Sequence, residues 1–359
     1  MSVTSESADH AQLRSDSDEK GDAATTVKFS EIAPLMQLAD MMAPVAVRTA
    51  ATLALADHIA AGTTHLRELA AASDSNPDAL RRLLRYLIAR GVFAEPETDR
   101  YALTDMAGLL LRDHPARLRD RFDLNGPVGR GDLSFIHLLD SIRTGGPSFE
   151  RMYGQPFWED LDSDPDRVAR FAEMMAANSA DSGIESEYEW SEFEHVVDVG
   201  GGTGTLVAQV LRANPHMRGT IVDLPATAEG ARDVLTRAGL SERCDVVGAN
   251  FFEPLPSGGD VYVLCKILHD WDDANAVAIL RRCAEAAGTA GRVLISEMVL
   301  NGGANDRQFT YLDLHMLVYF GGKERTLDEY AQLAAEAGMT TKRVGNGKWG
   351  ASLLECTPK

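Results

Sequence analysis

An apolar run leads into four glycines in the segment His195-Val196-Val197-Asp198-Val199-Gly200-Gly201-Gly202-Thr203-Gly204-Thr205-Leu206. After the glycines, an amphipathic run continues without a proline until Pro215. Glycine lets the backbone approach a ligand closely and adopt a positive φ without steric cost. The segment therefore predicts a strand, a glycine turn and a helix N-terminus. Together these form a nucleotide-binding site at the carboxyl edge of a parallel sheet.

The spacing of the glycines indicates which kind of nucleotide fits. A dinucleotide-binding fingerprint would need a third small residue that neither possible register provides, and a P-loop would need a lysine that the segment lacks. An acidic residue followed by three alternate glycines fits instead, at Asp198, Gly200, Gly202 and Gly204. This pattern resembles motif I of the S-adenosylmethionine-dependent methyltransferases. The resemblance implies that Asp198 pairs with the ammonium group of the cofactor, directly or through water.

A second acidic residue supports a nucleoside ligand. Asp223 ends the next apolar run, Gly219-Thr220-Ile221-Val222-Asp223-Leu224-Pro225, roughly twenty residues after the glycines. A carboxylate at this place can accept hydrogen bonds from both ribose hydroxyls. Because nicotinamide-dependent enzymes share this feature, Asp223 indicates a nucleoside without deciding between the cofactors.

Length and composition are those of an ordinary soluble protein with room for two domains. The chain has 359 residues, of which 45% are hydrophobic and 25% are charged. No apolar run reaches the roughly 18–20 residues that span a bilayer, so we expect no membrane partner. The formal net charge of −19 repels phosphate backbones and therefore disfavours nucleic acid as a substrate or partner.

The N-terminal segment and the cysteines indicate the compartment. Residues 1–27 are rich in serine, aspartate and glutamate and lack an apolar core, which predicts a disordered acidic tail rather than a signal peptide. The four cysteines show no C-x-x-C spacing, so neither a zinc site nor a disulfide framework is indicated. We expect free thiols, a cytoplasmic protein and no bound metal.

Two patterns follow the tail. From Phe29 to Ala61, apolar residues cover more than one helical face, which favours burial against a partner subunit. Helices and two short strands, 92–94 and 100–103, then predict a winged-helix domain over residues 28–112. In isolation this domain would suggest a DNA-binding regulator with Arg81, Arg82 and Arg85 on the recognition helix. The acidic chain and the large domain behind it disfavour that interpretation.

The remainder divides into a helical part and a sheet domain. Residues 113–188 predict a helical connector or substrate cap, whose aromatic and methionine side chains either line a pocket or fill a core. From residue 189 to 359, apolar strands alternate with helices. This predicts an α/β fold with a doubly wound parallel sheet that binds ligands at the carboxyl ends of its strands.

A histidine lies at this ligand-binding edge. His269 follows the strand Asp260–Cys265, and so shares the sheet edge with the glycines and Asp223. An imidazole near its ordinary pKa of about 6.5 can take the proton of a phenol or enol at neutral pH. Glu297 ends the following strand, where a carboxylate can hold the imidazole tautomer and stabilise its cation. His269 is therefore a candidate general base.

Two further runs are similar to those of the small-molecule O-methyltransferases of the caffeate/hydroxyindole type: Leu268-His269-Asp270-Trp271-Asp272-Asp273 and Gly321-Gly322-Lys323-Glu324-Arg325-Thr326. The resemblance extends from about Phe29 to the end of the chain, and bacterial members methylate polyketides and other natural products. It implies a class I methyltransferase domain preceded by a winged-helix dimerisation domain. It also implies S-adenosylmethionine as cofactor, an aromatic or polyketide acceptor and a homodimer.

Position by position, the resemblance assigns roles to individual residues. The general base falls on His269, flanked by Glu297 and Glu324. The implied cofactor-binding residues are Asp198, Gly200, Gly202, Gly204, Asp223, Leu224, Asn250, Phe251, Lys266, Met175 and Ser179. The implied acceptor-binding residues are Met316, Tyr319, Trp158 and Asp270. Asn250 stands where the family usually has an aspartate, and its amide can still accept a hydrogen bond from the adenine amino group.

The implied reaction is transfer of an activated methyl group to an oxyanion by in-line displacement, without a metal. C- or N-methylation on the same scaffold stays open, because a histidine base can equally form an enolate. A winged-helix transcriptional regulator that binds the cofactor only as a ligand is the alternative from a different class. A nicotinamide-dependent oxidoreductase is a third.

Overall fold

The computed structural model describes residues 28–179, 182–300, 306–347 and 351–359, so the predicted tail 1–27 lies outside the described residues. Residues 28–45 belong to a separate unit that contains α1 (Phe29–Leu38) and the beginning of α2 (Met42–Thr52). The large apolar side chains of this unit are exposed: Phe29, Ile32, Leu35, Met36, Leu38, Met41, Met42 and Val45. An apolar helix surface of this extent is typical of an interaction site.

The second unit begins with the winged-helix arrangement that the sequence predicts. Three helices, α3 (Leu55–Ala60), α4 (Leu66–Ala72) and α5 (Pro77–Ile88), precede the antiparallel strands β1 (Phe93–Glu97) and β2 (Arg100–Leu103). The side chain of Asn76 accepts hydrogen bonds from the N–H groups of Asp78 and Ala79 at 3.0 and 3.1 Å. Asn76 is therefore the N-cap of α5, with Pro77 at the first helical position.

Short helices fill the region between the winged helix and the sheet. They are α6 (Asp105–Gly108), α7 (Leu118–Phe122), α8 (Pro127–Leu133), a 3-10 turn (Ser134–His137), α9 (Leu138–Thr144), α10 (Phe149–Tyr153), α11 (Phe157–Asp162), α12 (Pro165–Ser179) and α13 (Ile184–Glu187). Their core is aromatic, with Phe149 and Phe157 buried against Tyr319 from a later helix. The region is helical, and its role as a connector or substrate cap stays a prediction.

A seven-stranded sheet forms the centre of the remaining chain. Its strands are β3 (His195–Val199), β4 (Arg218–Asp223), β5 (Cys244–Gly248), β6 (Val261–Cys265), β7 (Arg292–Met298), β8 (Met339–Asn346) and β9 (Ala351–Pro358), in the order β5-β4-β3-β6-β7-β9-β8. The first five strands in this order are parallel, and β9 pairs antiparallel with both β7 and β8. The predicted fold class is confirmed, with the antiparallel strand β9 and the edge strand β8 added at one side.

Helices cover both faces of the sheet. They are α14 (Thr205–Ala213), α15 (Pro225–Ala238), a 3-10 turn (Leu268–Asp270), α16 (Asp273–Ala287), α17 (Asp306–Phe320) and α18 (Leu327–Glu336). Successive residues of a strand point to opposite faces, so Val197 and Val199 lie in one hydrophobic cluster and Val196 lies in the other. Within the described ranges, no helix is long and apolar enough to cross a membrane.

Candidate active site

The strand order creates a crevice between β3 and β6. From β3 the chain proceeds outward to β4 and β5 on one side, and from β6 to β7 on the other. Connections on either side of such a switch point leave a gap at the carboxyl ends of the two central strands, where α/β proteins bind ligands. Asp198 lies on β3 with Ile221 and Val263 as its neighbours on the flanking strands, so it stands beside this gap.

The glycine loop after β3 has three residues with positive φ: Gly200 (+73°), Gly202 (+56°) and Gly204 (+74°). A Cβ at Gly200 would lie 2.5 Å from Ile267 Cδ1, and one at Gly204 would lie 2.4 Å from Ile221 Cδ1. A Cβ at Gly202 would meet no protein atom within 4 Å. A side chain at either outer glycine would have to displace an isoleucine methyl group, whereas Gly202 faces open space that a ligand can approach closely.

Asp198 is a buried carboxylate without a complete set of partners. The residue is 2% exposed, and its Oδ2 has no hydrogen-bond partner within the described residues. Burial, together with the nearby charge of Asp223, raises the pKa of Asp198 to about 7. An unpaired buried oxygen requires a partner, and a cationic ligand group beside the glycine loop would supply one.

Asp223 ties the glycine loop to the end of β4. Its Oδ2 accepts a hydrogen bond from the N–H of Gly202 at 2.8 Å, and its Oδ1 accepts one from the N–H of Leu224 at 2.7 Å. Burial raises the pKa of Asp223, although these backbone donors oppose the shift. Each carboxylate oxygen has a second lone pair, so both oxygens can still accept a ribose hydroxyl.

The other predicted cofactor residues surround the same crevice. Asn250 is exposed, and its Oδ1 accepts the N–H of Phe252 at 3.0 Å. The Phe251 ring lies 3.6 Å from the Cβ position of Gly200. Met175 is half-buried on α12, which packs against α14, the helix that begins after the glycines. Ser179 ends α12, and its side chain lies outside the described residues.

Lys266 has an unusual backbone conformation for a residue with a side chain. Its φ of +57° lies in the left-handed region, where residues other than glycine are strained. Directly after it, the N–H groups of Ile267 and Leu268 both donate to Glu297 Oε1, at 3.0 and 2.7 Å. The left-handed turn at Lys266 thus directs the segment carrying His269 onto the end of β7.

Three carboxylates surround the imidazole of His269. Nδ1 is 2.8 Å from Glu324 Oε1 and 3.9 Å from Glu297 Oε2, and Nε2 is 3.5 Å from Asp270 Oδ1. Because a carboxylate only accepts hydrogen bonds, the short contact requires that Nδ1 carry the proton. In the neutral imidazole, Nε2 is then the nitrogen that can accept a proton from an acceptor. The structure therefore brings together all three predicted catalytic residues and Asp270.

The carboxylates change the acidity of this histidine. Burial lowers the pKa of His269, but Glu297, Asp270 and Glu324 together raise it to about 10. Burial and the neighbouring acids raise the pKa of Glu297 to about 7, although the nearby imidazole opposes the shift. Our expectation of an ordinary pKa near 6.5 for His269 is therefore wrong. Paired acids in a dry site stabilise the imidazolium, and sequence spacing does not reveal that degree of burial.

Apart from Asp270, the predicted acceptor residues lie on two helices. Met316 and Tyr319 are buried on α17, where the Tyr319 hydroxyl donates to Asp132 and, at 3.0 Å, to the carbonyl of Val128. The Trp158 ring on α11 stacks on Phe320 with a centroid distance of 5.1 Å. Its buried indole N–H has no partner within the described residues. Tyr319 is thus held within an aromatic core, while Trp158 retains one free donor.

Sequence reasoning missed two residues that support the cluster. Asp313 on α17 accepts the backbone N–H of Glu324 at 2.8 Å, a contact across the fold that no motif signals. Arg325 is fully buried directly after Glu324 and contacts the segment around His269. Arg325 lies in the run Gly321–Thr326, which carries part of the family resemblance. Its place next to Glu324 in that run could have marked it as a residue that supports the site.

Comparison with known proteins identifies the family. A model of the O-methyltransferase domain matches residues 135–340, and a model of the O-methyltransferase dimerisation domain matches residues 36–113. The chain belongs to the O-methyltransferase family. This O-methyltransferase is 48% identical to 2,7-dihydroxy-5-methyl-1-naphthoate 7-O-methyltransferase from Streptomyces carzinostaticus, over 86% of the chain and 92% of the relative. It is 42% identical to the aclacinomycin 10-hydroxylase RdmB from Streptomyces purpurascens, over 85% and 83%.

Solved structures of a relative show which cofactor this family binds. The O-methyltransferase NcsB1 from neocarzinostatin biosynthesis, in complex with S-adenosyl-L-homocysteine and 1,4-dihydroxy-2-naphthoic acid, superposes with a TM-score of 0.84 at 46% identity, over 90% of this chain and 98% of that one. A second structure of NcsB1 contains S-adenosylmethionine. The enzyme described here is an S-adenosylmethionine-dependent O-methyltransferase. The orphaned oxygen of Asp198 and the open space at Gly202 fit this cofactor.

Proposed function

We propose that this enzyme methylates a phenolic or enolic hydroxyl of a naphthoate-type polyketide acid in natural-product biosynthesis, with His269 as the general base. The observation that carries the proposal is the contact between His269 Nδ1 and Glu324, which leaves Nε2 as the base at the ligand edge. The naphthoate class is supported by the relative from Streptomyces carzinostaticus, which acts on a dihydroxynaphthoate.

The cofactor side of the site follows from the residues beside the glycine loop. When bound, S-adenosylmethionine would supply an activated methyl group: the acceptor oxyanion would form the new oxygen–carbon bond in line with the sulfur as the carbon–sulfur bond breaks, and S-adenosylhomocysteine would leave. We assign Asp198 to the ammonium group and Asp223 to the ribose hydroxyls. Gly200, Gly202 and Gly204 shape the loop, Lys266 lies toward the methionyl end, and α12 closes over the cofactor. Asn250 and Phe251 then contact the adenine, with Leu224 beside them.

His269 prepares the acceptor by moving one proton. A phenol has a pKa of about 10, and the carboxylates raise the pKa of His269 to about 10 as well, so transfer from the hydroxyl to Nε2 is nearly balanced. The transfer leaves a phenolate beside an imidazolium that Glu324 and Glu297 stabilise. Asp270, next to Nε2, contacts the acceptor, and Met316, Tyr319 and Trp158 bound its apolar ring.

The test uses 2,7-dihydroxy-5-methyl-1-naphthoate as acceptor and S-adenosylmethionine labelled in the methyl group. We expect an O-methyl product by NMR. We also expect His269→Ala to lower kcat about a hundredfold or more while it binds S-adenosylhomocysteine as tightly as wild type. A new C-methyl or N-methyl signal would contradict O-methylation. Full kcat in His269→Ala would contradict the role of the histidine.

The regulator alternative is disfavoured by the charges on α5. Arg81 donates to Asp99 at 2.9 and 3.0 Å, and Arg82 pairs with Asp78 at 2.9 Å. Two of the three arginines that would contact DNA are thus paired within the chain. A gel shift at low salt tests this directly, because binding to phosphate backbones is strongest there. A salt-dependent shift would support the regulator.

We propose that the enzyme is a cytoplasmic homodimer. The dimerisation domain and the exposed apolar side chains of residues 28–45 support self-association, and the four cysteines are free thiols. Residues 28–112 then serve dimerisation, 113–188 cap the substrate and 189–359 form the catalytic domain. Light scattering at micromolar concentration is expected to give twice the chain mass, and a monomer would contradict the proposal.

A further inference from the structure

Residues 322–325, here called the anchor segment, lie directly against the turn that carries His269. A Cβ at Gly322 would stand 2.1 Å from the carbonyl oxygen of His269 and 2.5 Å from the carbonyl carbon of Asp270. No other residue fits there unless one of the two segments moves. The peptide that follows His269 is therefore in contact with the segment that supplies Glu324.

Arg325 joins the two segments through its whole guanidinium group. Nη1 donates to the carbonyl of Leu268 at 2.9 Å, and Nη2 donates to the carbonyl of Trp271 at 2.8 Å. These two carbonyls bracket His269 in sequence. Nε and Nη2 donate to Asp273 Oδ1 at 3.0 and 2.8 Å, and Nη1 also donates to the backbone carbonyl of Lys323 at 3.3 Å. All five donors of the side chain are thus used.

These contacts fix a geometry that general core packing does not require. Arg325 is fully buried, so its charge is removed from water, and two of its five hydrogen bonds go to the backbone oxygens on either side of His269. The main-chain N–H of Glu324 is held by Asp313 at 2.8 Å, and the carbonyl of Arg325 accepts the N–H of Leu300 at 3.1 Å. The anchor segment is fixed at both ends, and Arg325 holds the turn against it.

We propose that Arg325 is a positioning residue for methyl transfer, which sets the orientation of the His269 imidazole by fixing its turn against Glu324. The inference rests on the proposed role of His269. Lysine cannot replace arginine here, because a single ammonium lacks the planar fork that spans two carbonyls and a carboxylate. Arg325 does not contact the reacting atoms; it acts through the pair formed by His269 and Glu324.

A double-mutant cycle tests whether Arg325 acts through that pair. Wild type, Arg325→Lys, Glu324→Gln and the double variant are compared in kcat and in KM for 2,7-dihydroxy-5-methyl-1-naphthoate. The matched control is Lys323→Met, because the Lys323 side chain also pairs with Asp273, at 3.2 Å, but is 41% exposed, whereas Arg325 is fully buried. Circular dichroism establishes that each variant is folded, and calorimetry measures its affinity for S-adenosylhomocysteine.

Arg325→Lys is expected to lower kcat at least about tenfold, because a misplacement of about 1 Å at a reacting group can cost a hundredfold. Its affinity for S-adenosylhomocysteine should stay within about twofold of wild type. In the Glu324→Gln background, the same substitution should cost less than about twofold, since residues that act as one unit are not additive. Unchanged kcat in Arg325→Lys, or additive losses in the double variant, would overturn the proposal.

The pH profile separates positioning from general destabilisation. His269 faces Asp270 on its own turn, Glu297 from β7 and Glu324 from the anchor segment. Tyr330 from α18 and Asp313 from α17 lie beside these acids. Moving Glu324 away lowers the pKa of His269, so the rising limb of kcat/KM should shift to lower pH in Arg325→Lys. A lower kcat with an unshifted limb would overturn the positioning role.

A second variant covers the case in which Arg325→Lys does not fold. Asp273→Ala removes two of the five hydrogen bonds of Arg325, and the Asp273 side chain is more than half exposed. This variant therefore replaces Arg325→Lys in the double-mutant cycle with Glu324→Gln. His269→Ala is measured in parallel. Full kcat in His269→Ala would contradict the proposed function itself. Loss of activity there, with unchanged Arg325→Lys and Asp273→Ala, would overturn only the positioning role.

Discussion

The buried carboxylate of Asp198 makes a quantitative prediction about pH and stability. Its pKa is raised to about 7 in the folded protein, mainly by burial, against about 3.9 in an unfolded chain. Burial thus destabilises the charged form, and the difference of about three between the pKa values corresponds to about 4 kcal/mol. Because the pKa of Asp198 is higher in the folded protein, its contribution to the unfolding free energy is fully present below pH 4 and is lost as pH rises through 7.

Asp198→Asn removes the titration and keeps the shape of the side chain. Between pH 6 and pH 8, the ionisation of Asp198 should cost the wild type about 1 kcal/mol of unfolding free energy, a loss that the variant escapes. The difference in unfolding free energy between variant and wild type should therefore change by about 1 kcal/mol in favour of the variant over this range. The unpaired amide of the variant has its own cost in unfolding free energy, which is the same at pH 6 and at pH 8. The change of the difference between the two pH values is therefore the informative quantity.

Urea unfolding of the cofactor-free proteins at pH 6, 7 and 8 measures this difference. Asp245→Asn, at an exposed position on β5, controls for the substitution itself. Parallel pH curves for wild type and Asp198→Asn would refute the reasoning, because they would mean that water or another donor reaches the carboxylate. In the same preparations, Asp198→Asn should bind S-adenosylhomocysteine more weakly than wild type, since an amide cannot neutralise an ammonium group.

Three further outcomes are expected. Gly202→Ala should cost only about 1–2 kcal/mol of stability in urea but weaken S-adenosylhomocysteine binding in calorimetry, whereas Gly239→Ala, with a similar φ and open surroundings, should change stability alone. For a phenolic acceptor, kcat/KM should rise about tenfold per pH unit between pH 7 and 9, because a histidine with a pKa of about 10 is mostly protonated there. Glu324→Gln lowers that pKa and should move the limb to lower pH; a flat profile would contradict both statements. Tyr319→Phe should cost about 1–2 kcal/mol in thermal denaturation, because it removes a hydroxyl whose single proton is shared between Val128 and Asp132, and an unchanged melting temperature would contradict this.

Local patterns were sufficient for the elements that hold the crevice. The strand predicted before the glycines lies at His195–Val199, and the strand predicted at Asp260–Cys265 lies at Val261–Cys265, because short apolar runs bounded by glycine, proline or charged residues define buried strands. The same reasoning placed His269 and Glu297 at one edge, since parallel strands end at the same side of a sheet. Glu324 came from the resemblance alone. The roles assigned to these residues stay predictions until the variants are measured.

Features that depend on distant parts of the chain could not be predicted. Strands β8 and β9 were missing from the prediction, because antiparallel pairing with β7 is decided by contacts across the sheet and not by the rhythm of strand and helix. The raised pKa of His269 depends on how completely three separate segments exclude water. The contacts of Arg325 join segments more than fifty residues apart. In each case, the controlling quantity is desolvation or pairing between remote segments.

The position of β9 inside the sheet constrains the order of assembly during synthesis. Residues 339–346 leave the ribosome before residues 351–358, yet β8 can join the sheet only through β9. Until β9 is available, β7 has an unpaired edge next to Glu297, which pairs with Ser352 in the finished sheet. Unpaired strand edges recruit other chains. A chain interrupted between these two strands would therefore contain every proposed catalytic residue and still expose an aggregation-prone edge.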